Sequence, residues 1–292
     1  MKFKLVILLC IVISACNQIE KKDVTFGLIT DLHYAKRKNN GTRFYNESYE
    51  KARIAMEEFK GSSIDFIVEL GDLKDQGIKP DKNETIGFLK EIDSLLLSYG
   101  KPVYHVLGNH DMDNISKKDF LSNITNPVGT EGKSYYSFKC NGFKFIVLDG
   151  NYNLDGTDYD SGNFNWKEAL IPEHEMNWLR GELQDGDEPI VIFIHQLLDE
   201  KSGLNKALYI SNSAEVNKLL IDSKRVVAVF QGHHHTGNYS FQDGIHYFTM
   251  KGMIEGQLPE NNSYAIVKLT SKGDIIVDGF SLCKDIVMKN KQ

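Results

Sequence analysis

The stretch VTFGLITDLH, residues 24–33, joins a short apolar run to a polar end, and the chain repeats this arrangement several times. The apolar part, residues 24–30, predicts a buried strand because it is short, rich in β-branched side chains and followed by polar residues. Residues 65–70 and 103–107 predict two more strands, and residues 48–59 and 85–97 predict the amphipathic helices between them. A strand, helix, strand, helix, strand order implies parallel pairing with helices packed on the sheet.

The second half of the chain predicts a different arrangement of strands. Residues 134–138 and 143–149 are separated by Asn141-Gly142, which is a strong signal for a hairpin. Helices are predicted at residues 172–183 and 213–221, and further strands at 190–195, 226–231, 245–250, 264–269 and 274–280. Because no internal repeat or linker interrupts this pattern, we expect residues 24–292 to form one α/β domain with more than one sheet layer.

Polar residues stand at the ends of five of these apolar runs, where an α/β sheet builds its sites. They are Asp31-Leu32-His33, Gly71-Asp72, Gly108-Asn109-His110-Asp111, His195 and Gly232-His233-His234-His235. Aspartate and histidine together suit divalent ions such as Mn, Fe, Zn or Co, and a shared carboxylate can bridge two cations. Each block alone is a common turn, but their joint occurrence at strand ends predicts a metal site.

Composition limits the classes of partner. The 292 residues are 41% hydrophobic, 25% charged and 11% aromatic, as in soluble globular proteins. Lys and Arg total 34 against 40 Asp and Glu, so the formal charge of -6 provides no general attraction for a polyanion. We therefore expect no nucleic-acid polymer as a partner.

The first residues have the features of an export signal. Lys2 and Lys4 precede an apolar run at residues 5–13, which is too short to span a bilayer. The small residues before Cys16 resemble the lipobox of bacterial lipoproteins. That resemblance implies a signal peptide at residues 1–15, a lipidated tether at 16–23, and an exported protein anchored to a bacterial membrane through a lipid on Cys16. An ordinary cleaved signal is the alternative, and pairing of Cys140 with Cys283 stays open.

In this order, the five blocks resemble the signature of the calcineurin-like metallophosphoesterases: Asp-x-His, Gly-Asp, Gly-Asn-His-Asp/Glu, His and Gly-His-x-His. The match runs from residue 26 to about residue 236. The resemblance implies an αββα sandwich of two packed mixed β-sheets flanked by helices. It also implies two divalent metal ions that share Asp72 as a bridge. The first would be held by Asp31, His33, Asp72 and His235, and the second by Asp72, Asn109, His195 and His233.

The same resemblance implies hydrolysis of a phosphate ester or phosphoanhydride in a small phosphorylated substrate. Two cations in such a site bind a water, lower its pKa and align it for in-line attack on phosphorus. His110 would stand beside the metals, where as an imidazolium it could protonate or stabilise the leaving oxygen. Asp111 would orient His110 through a hydrogen bond.

The substrate class rests on shorter segments. Gly41-Thr42-Arg43-Phe44-Tyr45 and the stretch at residues 162–166 resemble the branch related to ADP-ribose/CDP-alcohol diphosphatases. This resemblance implies that Arg43 binds a second phosphate and that Tyr45 stacks on a base or sugar. Alternatively, both residues only begin a helix and pack against its first turn. The stretch at residues 71–77 looks like cyclic-nucleotide and glycerophosphodiester phosphodiesterases, which remain alternatives together with phosphomonoesterases. A non-catalytic scaffold is disfavoured because every ligand position and His110 are present, and the oligomeric state stays open.

Overall fold

The structure is a computed structural model that describes residues 21–290. The predicted signal peptide and Cys16 lie outside the described residues. The described end of the predicted tether contacts the body of the protein: the Lys22 N–H donates to the Asn141 carbonyl at 3.2 Å, and the Asp23 side chain accepts the Ser271 N–H at 2.8 Å. Within residues 21–290, every helix is too short or too polar to cross a membrane.

The described residues form two mixed β-sheets with helices on the outside. The strands are β1 Val24–Ile29, β2 Phe66–Glu69, β3 Val103–His105, β4 Tyr136–Cys140, β5 Phe143–Val147, β6 Ile190–Ile194, β7 Val226–Gln231, β8 Asn238–Gln242, β9 Ile245–Thr249, β10 Ser263–Leu269, β11 Ile275–Ser281 and β12 Ile286–Met288. The α-helices are α1 Ser48–Gly61, α2 Lys82–Leu97, α3 Lys117–Leu121, α4 Glu173–Gln184 and α5 Ser213–Ser223.

The strand order places parallel strands at the centre of each sheet. The first sheet runs β12-β11-β10-β1-β2-β3, with β1, β2 and β3 parallel. The second runs β4-β5-β6-β7-β9-β8, with β5, β6, β7 and β9 parallel. This architecture confirms the predicted αββα sandwich.

Aromatic side chains fill the space between the two sheets. Phe26 on β1 contacts Phe145, Phe193 and Phe230 of the second sheet, with ring centroids 6.3, 5.6 and 5.8 Å away. Its neighbour Gly27 faces the other way, and a Cβ there would lie 2.6 Å from the Phe59 ring on α1. Glycine therefore lets α1 approach the first sheet closely, while apolar residues of α4 and α5 cover the outer face of the second.

Two strands and one helix were not predicted from the sequence. The edge strand β8 alternates half-buried with exposed residues and carries polar side chains, so it lacks an apolar run. The edge strand β12 has three residues and α3 has five, which is too short for a periodic pattern. The predicted hairpin is present, and positive φ values of 48° at Asn141 and 82° at Gly142 close its turn.

Candidate metal centre

The predicted metal ligands lie at one end of the sandwich because parallel strands of both sheets end there. Asp31 and His33 follow β1, Asp72 follows β2, Asn109 follows β3, His195 follows β6, and His233 and His235 follow β7. Apart from Asn109, these residues form groups whose potential ligand atoms lie within 4.8 Å of one another, and a group of His33, Asp72 and His110 overlaps the other two. The sequence blocks, which are far apart along the chain, therefore meet in one site.

The first group contains Asp31, His33 and His235. His235 Nε2 lies 3.1 Å from Asp31 Oδ1 and 3.3 Å from His33 Nε2, and His33 Nε2 lies 3.7 Å from Asp31 Oδ1. Ligand atoms that share one cation at bonds of about 2.1 Å stand roughly 3 to 3.5 Å apart. Two of the three separations lie in this range and the third, 3.7 Å, lies just above it, so the spacing of this group is close to that around a single cation.

The second group contains Asp72, His195 and His233. Asp72 Oδ2 lies 3.3 Å from His195 Nε2 and 3.6 Å from His33 Nε2, which belongs to the first group. Asp72 thus stands between the two groups, as a bridging carboxylate must. Asn109 lines the same cleft as Asp72 and His233.

Unpaired polar atoms test whether these residues suit metal ions. Asp31 Oδ1, Asn109 Oδ1, His195 Nε2 and His233 Nε2 are buried and have no hydrogen-bond partner among the described residues. A buried polar atom without a partner costs about 1–3 kcal/mol, so several in one place require compensation. Two divalent cations would satisfy these atoms, and the mixed nitrogen and oxygen set suits Mn, Fe, Zn or Co.

Hydrogen bonds behind the ligands fix the orientation of two imidazole rings. His195 Nδ1–H donates to the Leu70 carbonyl at 2.8 Å, and His235 Nδ1–H donates to Glu255 Oε1 at 2.6 Å. Each bond points Nε2 of its ring toward the other ligands, which is the usual support for a metal-binding histidine. Sequence reasoning missed Glu255, because nothing in the pattern along the chain connects it with His235.

The backbone at the ligands is held in an unusual conformation. Asp31, His33, Asp72 and His233 have φ values of 52°, 48°, 56° and 65°. This left-handed region costs about 1–2 kcal/mol for a residue with a Cβ, and such strain concentrates at functional sites. Next to Asp72, Gly71 has a φ of 97°, and a Cβ there would lie 2.6 Å from the Gly108 nitrogen.

Two carboxylates and one imidazole among the ligands already have the protonation that metal binding requires. Burial opposes ionisation of Asp31 and Asp72, but the neighbouring His235 and His195, respectively, outweigh burial and hold both carboxyl pKa values below their usual range. Burial and the adjacent His195 lower the pKa of His233 to about 3. Two carboxylates and a neutral imidazole are forms that bind a cation. Burial lowers the pKa values of His195 and His235, but Asp72 and Asp31, respectively, outweigh burial and raise them to about 10 and about 9, so a cation must displace a proton from each of these rings.

His110 lines the cleft beside the ligands, as predicted, but its hydrogen-bond partner differs from the prediction. His110 Nδ1 bonds to Asp113 Oδ2 at 2.8 Å. Asp111 is buried and accepts the backbone N–H groups of Asp72, Leu73 and Gly108, so it does not orient His110. Burial lowers the pKa of His110, but the carboxylates of Asp72 and Asp113 outweigh it and raise that pKa to about 9.

The spacing along the chain explains why His110 bonds to Asp113 and not to Asp111. Residues 110–112 form a turn of 3-10 helix, so a side chain three positions after His110 lies on the same side of the turn. Asp113 is at that position, whereas Asp111, the next residue, points away. The signal for Asp113 was therefore present in the sequence.

Arg43 and Tyr45, both predicted to bind substrate, have different surroundings. Arg43 lines the cleft. Burial opposes its charge, but a hydrogen bond with Tyr45 and the nearby carboxylates of Asp72 and Asp31 raise its pKa further. Tyr45 is 3% exposed and does not line the cleft, so the prediction that it stacks on a base or sugar is wrong. The Cζ atom of Arg37 lies 4.8 Å from the centroid of the Tyr45 ring. The Tyr45 side chain also forms a hydrogen bond with Arg43.

Asp72, Asn109, His233 and His235 line an open cleft of about 850 Å³. Phe164 and Trp166, in the segment that the sequence analysis singled out, form part of its wall. Trp166 is 40% exposed, and its ring centroid lies 5.7 Å from that of His233. A cleft of this size admits a substrate larger than a phosphate group.

Comparison with known proteins agrees with this geometry. The sequence model of the family described as calcineurin-like phosphoesterase matches residues 24–237. A manganese-dependent ADP-ribose/CDP-alcohol diphosphatase of Xenopus laevis is 26% identical, over 91% of this chain and 92% of its own length. One of Arabidopsis thaliana is 23% identical, over 79% and 86%. The crystal structure of a dimetal phosphatase from Danio rerio superposes with a TM-score of 0.79 at 21% identity, over 92% of this chain and 99% of that one.

Proposed function

The chain belongs to the calcineurin-like phosphoesterase family, and from that premise we propose that it is a binuclear metal-dependent hydrolase of nucleoside diphosphate derivatives, of the ADP-ribose or CDP-alcohol type. As a member of this family it is a hydrolase that acts on phosphate ester bonds. The observation that supports the proposal most strongly is the pair of ligand groups joined by Asp72 on the floor of the cleft.

The residues of the chain have separable tasks in this reaction. Two divalent cations bound there would lower the pKa of a water, align it for in-line attack and neutralise charge on the phosphoryl oxygens. His110 faces the cleft, and its hydrogen bond to the Asp113 carboxylate favours the protonated form of the imidazole. It can give that proton to the leaving oxygen, or stabilise the charge there.

Two observations support the choice of substrate class. The relatives from Xenopus laevis and Arabidopsis thaliana are named as ADP-ribose/CDP-alcohol diphosphatases. Arg43 brings a planar cation to the cleft wall close to Asp72 and Asp31, where a second phosphate of the substrate would lie. A guanidinium binds phosphate through two parallel hydrogen bonds, which suits this task.

The test of the reaction uses the bridging carboxylate. Asp72→Ala removes a ligand from both groups, so we expect it to abolish hydrolysis and to reduce the manganese bound by the purified protein. The measurements are metal content and hydrolysis of phosphomonoesters, cyclic nucleotides, ADP-ribose and CDP-choline with manganese added. Full activity with unchanged metal content would contradict the assignment, and a preference for cyclic nucleotides would contradict the substrate class.

The test of the substrate class uses Arg43. Arg43→Ala should erase the preference for ADP-ribose over a small aryl phosphodiester, because the smaller compound has no second phosphate. A lost charge-assisted hydrogen bond is worth about 1.5–3 kcal/mol, so kcat/KM for ADP-ribose should fall about ten- to a hundredfold. Equal losses on both compounds would instead assign Arg43 to folding or to the attacked phosphoryl group.

We also propose that the protein is exported and anchored to a bacterial membrane by a lipid on Cys16. The support is the sequence alone: the basic residues, short apolar run and small residues that precede Cys16. The polar residues between Cys16 and β1 would then connect the lipid to the folded body.

A further inference from the structure

The cleft over the metal ligands adjoins a second cavity. We call the cavity of about 850 Å³ around Asp72 and His233 the metal lobe, and the cavity of about 430 Å³ next to it the outer lobe. Thr236, Lys251 and Leu282 line both lobes, so the two cavities meet at these side chains. A substrate bound at the metal ligands can therefore extend into the outer lobe.

Lys251, at the junction, follows β9 and is half-buried. Among residues 21–290, its ammonium group has no hydrogen-bond or ion-pair partner. Other buried lysines of the described chain are paired; Lys51, for example, donates to three backbone carbonyls. Because a buried or half-buried ammonium gains most from an anionic partner, Lys251 is suited to bind one from the cleft.

The carboxylates of the metal lobe do not compete for this cation. Asp72 is a predicted metal ligand, Asp113 bonds to His110, and Glu255 bonds to His235. Arg43 and Lys251 are therefore the two Lys or Arg side chains that the described part of the chain offers to a substrate in this lobe. Arg43 lies near the metal ligands, and Lys251 lies at the entrance to the outer lobe.

The outer lobe has an apolar wall beside the charged side chains of Lys284 and Asp285. It lies between the β8–β9 hairpin and the segment that connects β11 to β12. Phe248, Leu282 and Ile286 contribute apolar surface, and Tyr239 is 40% exposed at its edge. An apolar wall with a cation at its entrance suits an organic group joined to a phosphate.

We propose that Lys251 and the outer lobe form a binding site for the part of the substrate beyond the attacked phosphoryl group. Lys251 binds the second phosphate, together with Arg43, and the apolar wall binds the organic group attached to that phosphate. This inference rests on the proposed function, because it assumes that one phosphoryl group lies at the metal ligands. The bound substrate would then extend from the metal ligands, past Lys251, into the outer lobe.

The role of Lys251 is tested by binding, independently of catalysis. The probes are AMP and the α,β-methylene analogue of ADP, titrated calorimetrically into the manganese-loaded protein. The wild type should bind the two-phosphate analogue more tightly than AMP. We call the ratio of these two affinities the two-phosphate advantage, and Lys251→Met should lower it about ten- to a hundredfold. Lys251→Arg keeps the charge and should keep the advantage. Lys60→Met removes an exposed cation of α1 outside both lobes and is the control, so it should leave both affinities unchanged.

The outer lobe is tested by blocking it. Leu282 is half-buried at the junction, and Leu282→Trp should fill part of the entrance. The probes are the methylene analogue of ADP and methylenediphosphonate, which lacks the nucleoside. The wild type should bind the nucleoside-containing compound more tightly, and the variant should lose about tenfold of that difference, since the organic group loses apolar contact.

The outcomes separate this inference from the proposed function. A two-phosphate advantage that survives in Lys251→Met, or that the wild type lacks, would overturn the role of Lys251. A nucleoside advantage unchanged in Leu282→Trp would overturn the role of the outer lobe. The expected binding pattern in a protein that hydrolyses no diphosphate would support the binding site and contradict the proposed function.

Discussion

At the scale of single residues, two neighbouring aspartates have different tasks. Asp113 bonds to the imidazole of His110, whereas Asp111 accepts four backbone N–H groups from the loops that follow β2 and β3. The first can favour the protonated form of the imidazole that we propose acts on the leaving oxygen, and the second holds together the loops that carry Asp72 and Asn109. The position of each aspartate within one helical turn decides whether it contacts His110 or the backbone.

The role of His110 can be separated from metal binding. His110→Ala should lower kcat for ADP-ribose about 10²–10⁴-fold, which is the usual contribution of a general acid–base group. Asp113→Asn should lower it less, because the imidazole remains but loses the carboxylate that favours its protonated form. Manganese content should barely change in either variant.

Asp111→Asn is the matched comparison for these variants. It should lower the thermal midpoint of unfolding and weaken manganese binding, because both side-chain oxygens of Asp111 accept backbone N–H groups and asparagine replaces one of them with an NH₂ donor. Loss of manganese in His110→Ala would make His110 a ligand. An Asp111→Asn protein with full stability and metal content but a low rate would restore Asp111 to the catalytic role that the sequence suggested.

At the scale of elements, the loops at the strand ends are tied to one another by buried side chains. Asn151, in the loop after β5, donates to the Leu107 carbonyl at 2.7 Å and accepts from Gln196 at 2.7 Å. Leu107 precedes Gly108-Asn109, and Gln196 follows His195. Asn151 thus joins two loops that carry ligands of the second group, although it does not line the cleft itself.

Asn151→Leu should therefore affect both stability and the second metal position. Two buried polar groups would lose their partner, at about 1–3 kcal/mol each, so the free energy of unfolding should fall measurably in urea titrations. Manganese affinity should also fall, because Asn109 and His195 lose a common support. Asn153→Leu, whose hydrogen bonds are exposed, is the control for the same loop. Equal behaviour of the two variants would contradict a positioning role for Asn151.

At the scale of the whole molecule, the two sheets pack so that strands from each end over the same cleft. The aromatic layer between β1 and the second sheet sets their separation, and the parallel strands of both sheets deliver ligands from opposite sides. Asp31, His33, Asp72 and Asn109 come from the first sheet, and His195, His233 and His235 come from the second. Neither sheet alone provides a complete group.

The location of the protein is also a property of the whole molecule. Cys16→Ser removes the thiol that would carry the lipid, so the protein should move from the membrane fraction to a precursor or soluble form. Cell fractionation with detection of the protein measures the change, and Cys140→Ser is the matched control because Cys140 lies in the folded body as a free thiol. Unaltered partitioning of Cys16→Ser would leave only an ordinary signal peptide.

Much of the fold followed from the sequence, because its central strands are short apolar runs and its long helices have apolar faces. The strands β1, β6 and β7 were predicted to within a residue or so at each end. The polar edge strand β8 and the short elements α3 and β12 were missed, since their residues are placed by neighbouring elements. The metal-ligand candidates followed from the blocks at strand ends. Glu255, Lys251 and the burial of Tyr45 did not, because they depend on contacts between distant segments.

By itself, the amino-acid sequence determined the order of the central strands and long helices and which residues could bind metal. Periodicity and side-chain chemistry are local properties that can be recognised along the chain. Only the tertiary structure decided that Glu255 supports His235, that Tyr45 faces the interior, and that the cleft continues past Lys251. These features depend on how two sheets and their loops pack in space, and distance along the chain carries no information about that packing.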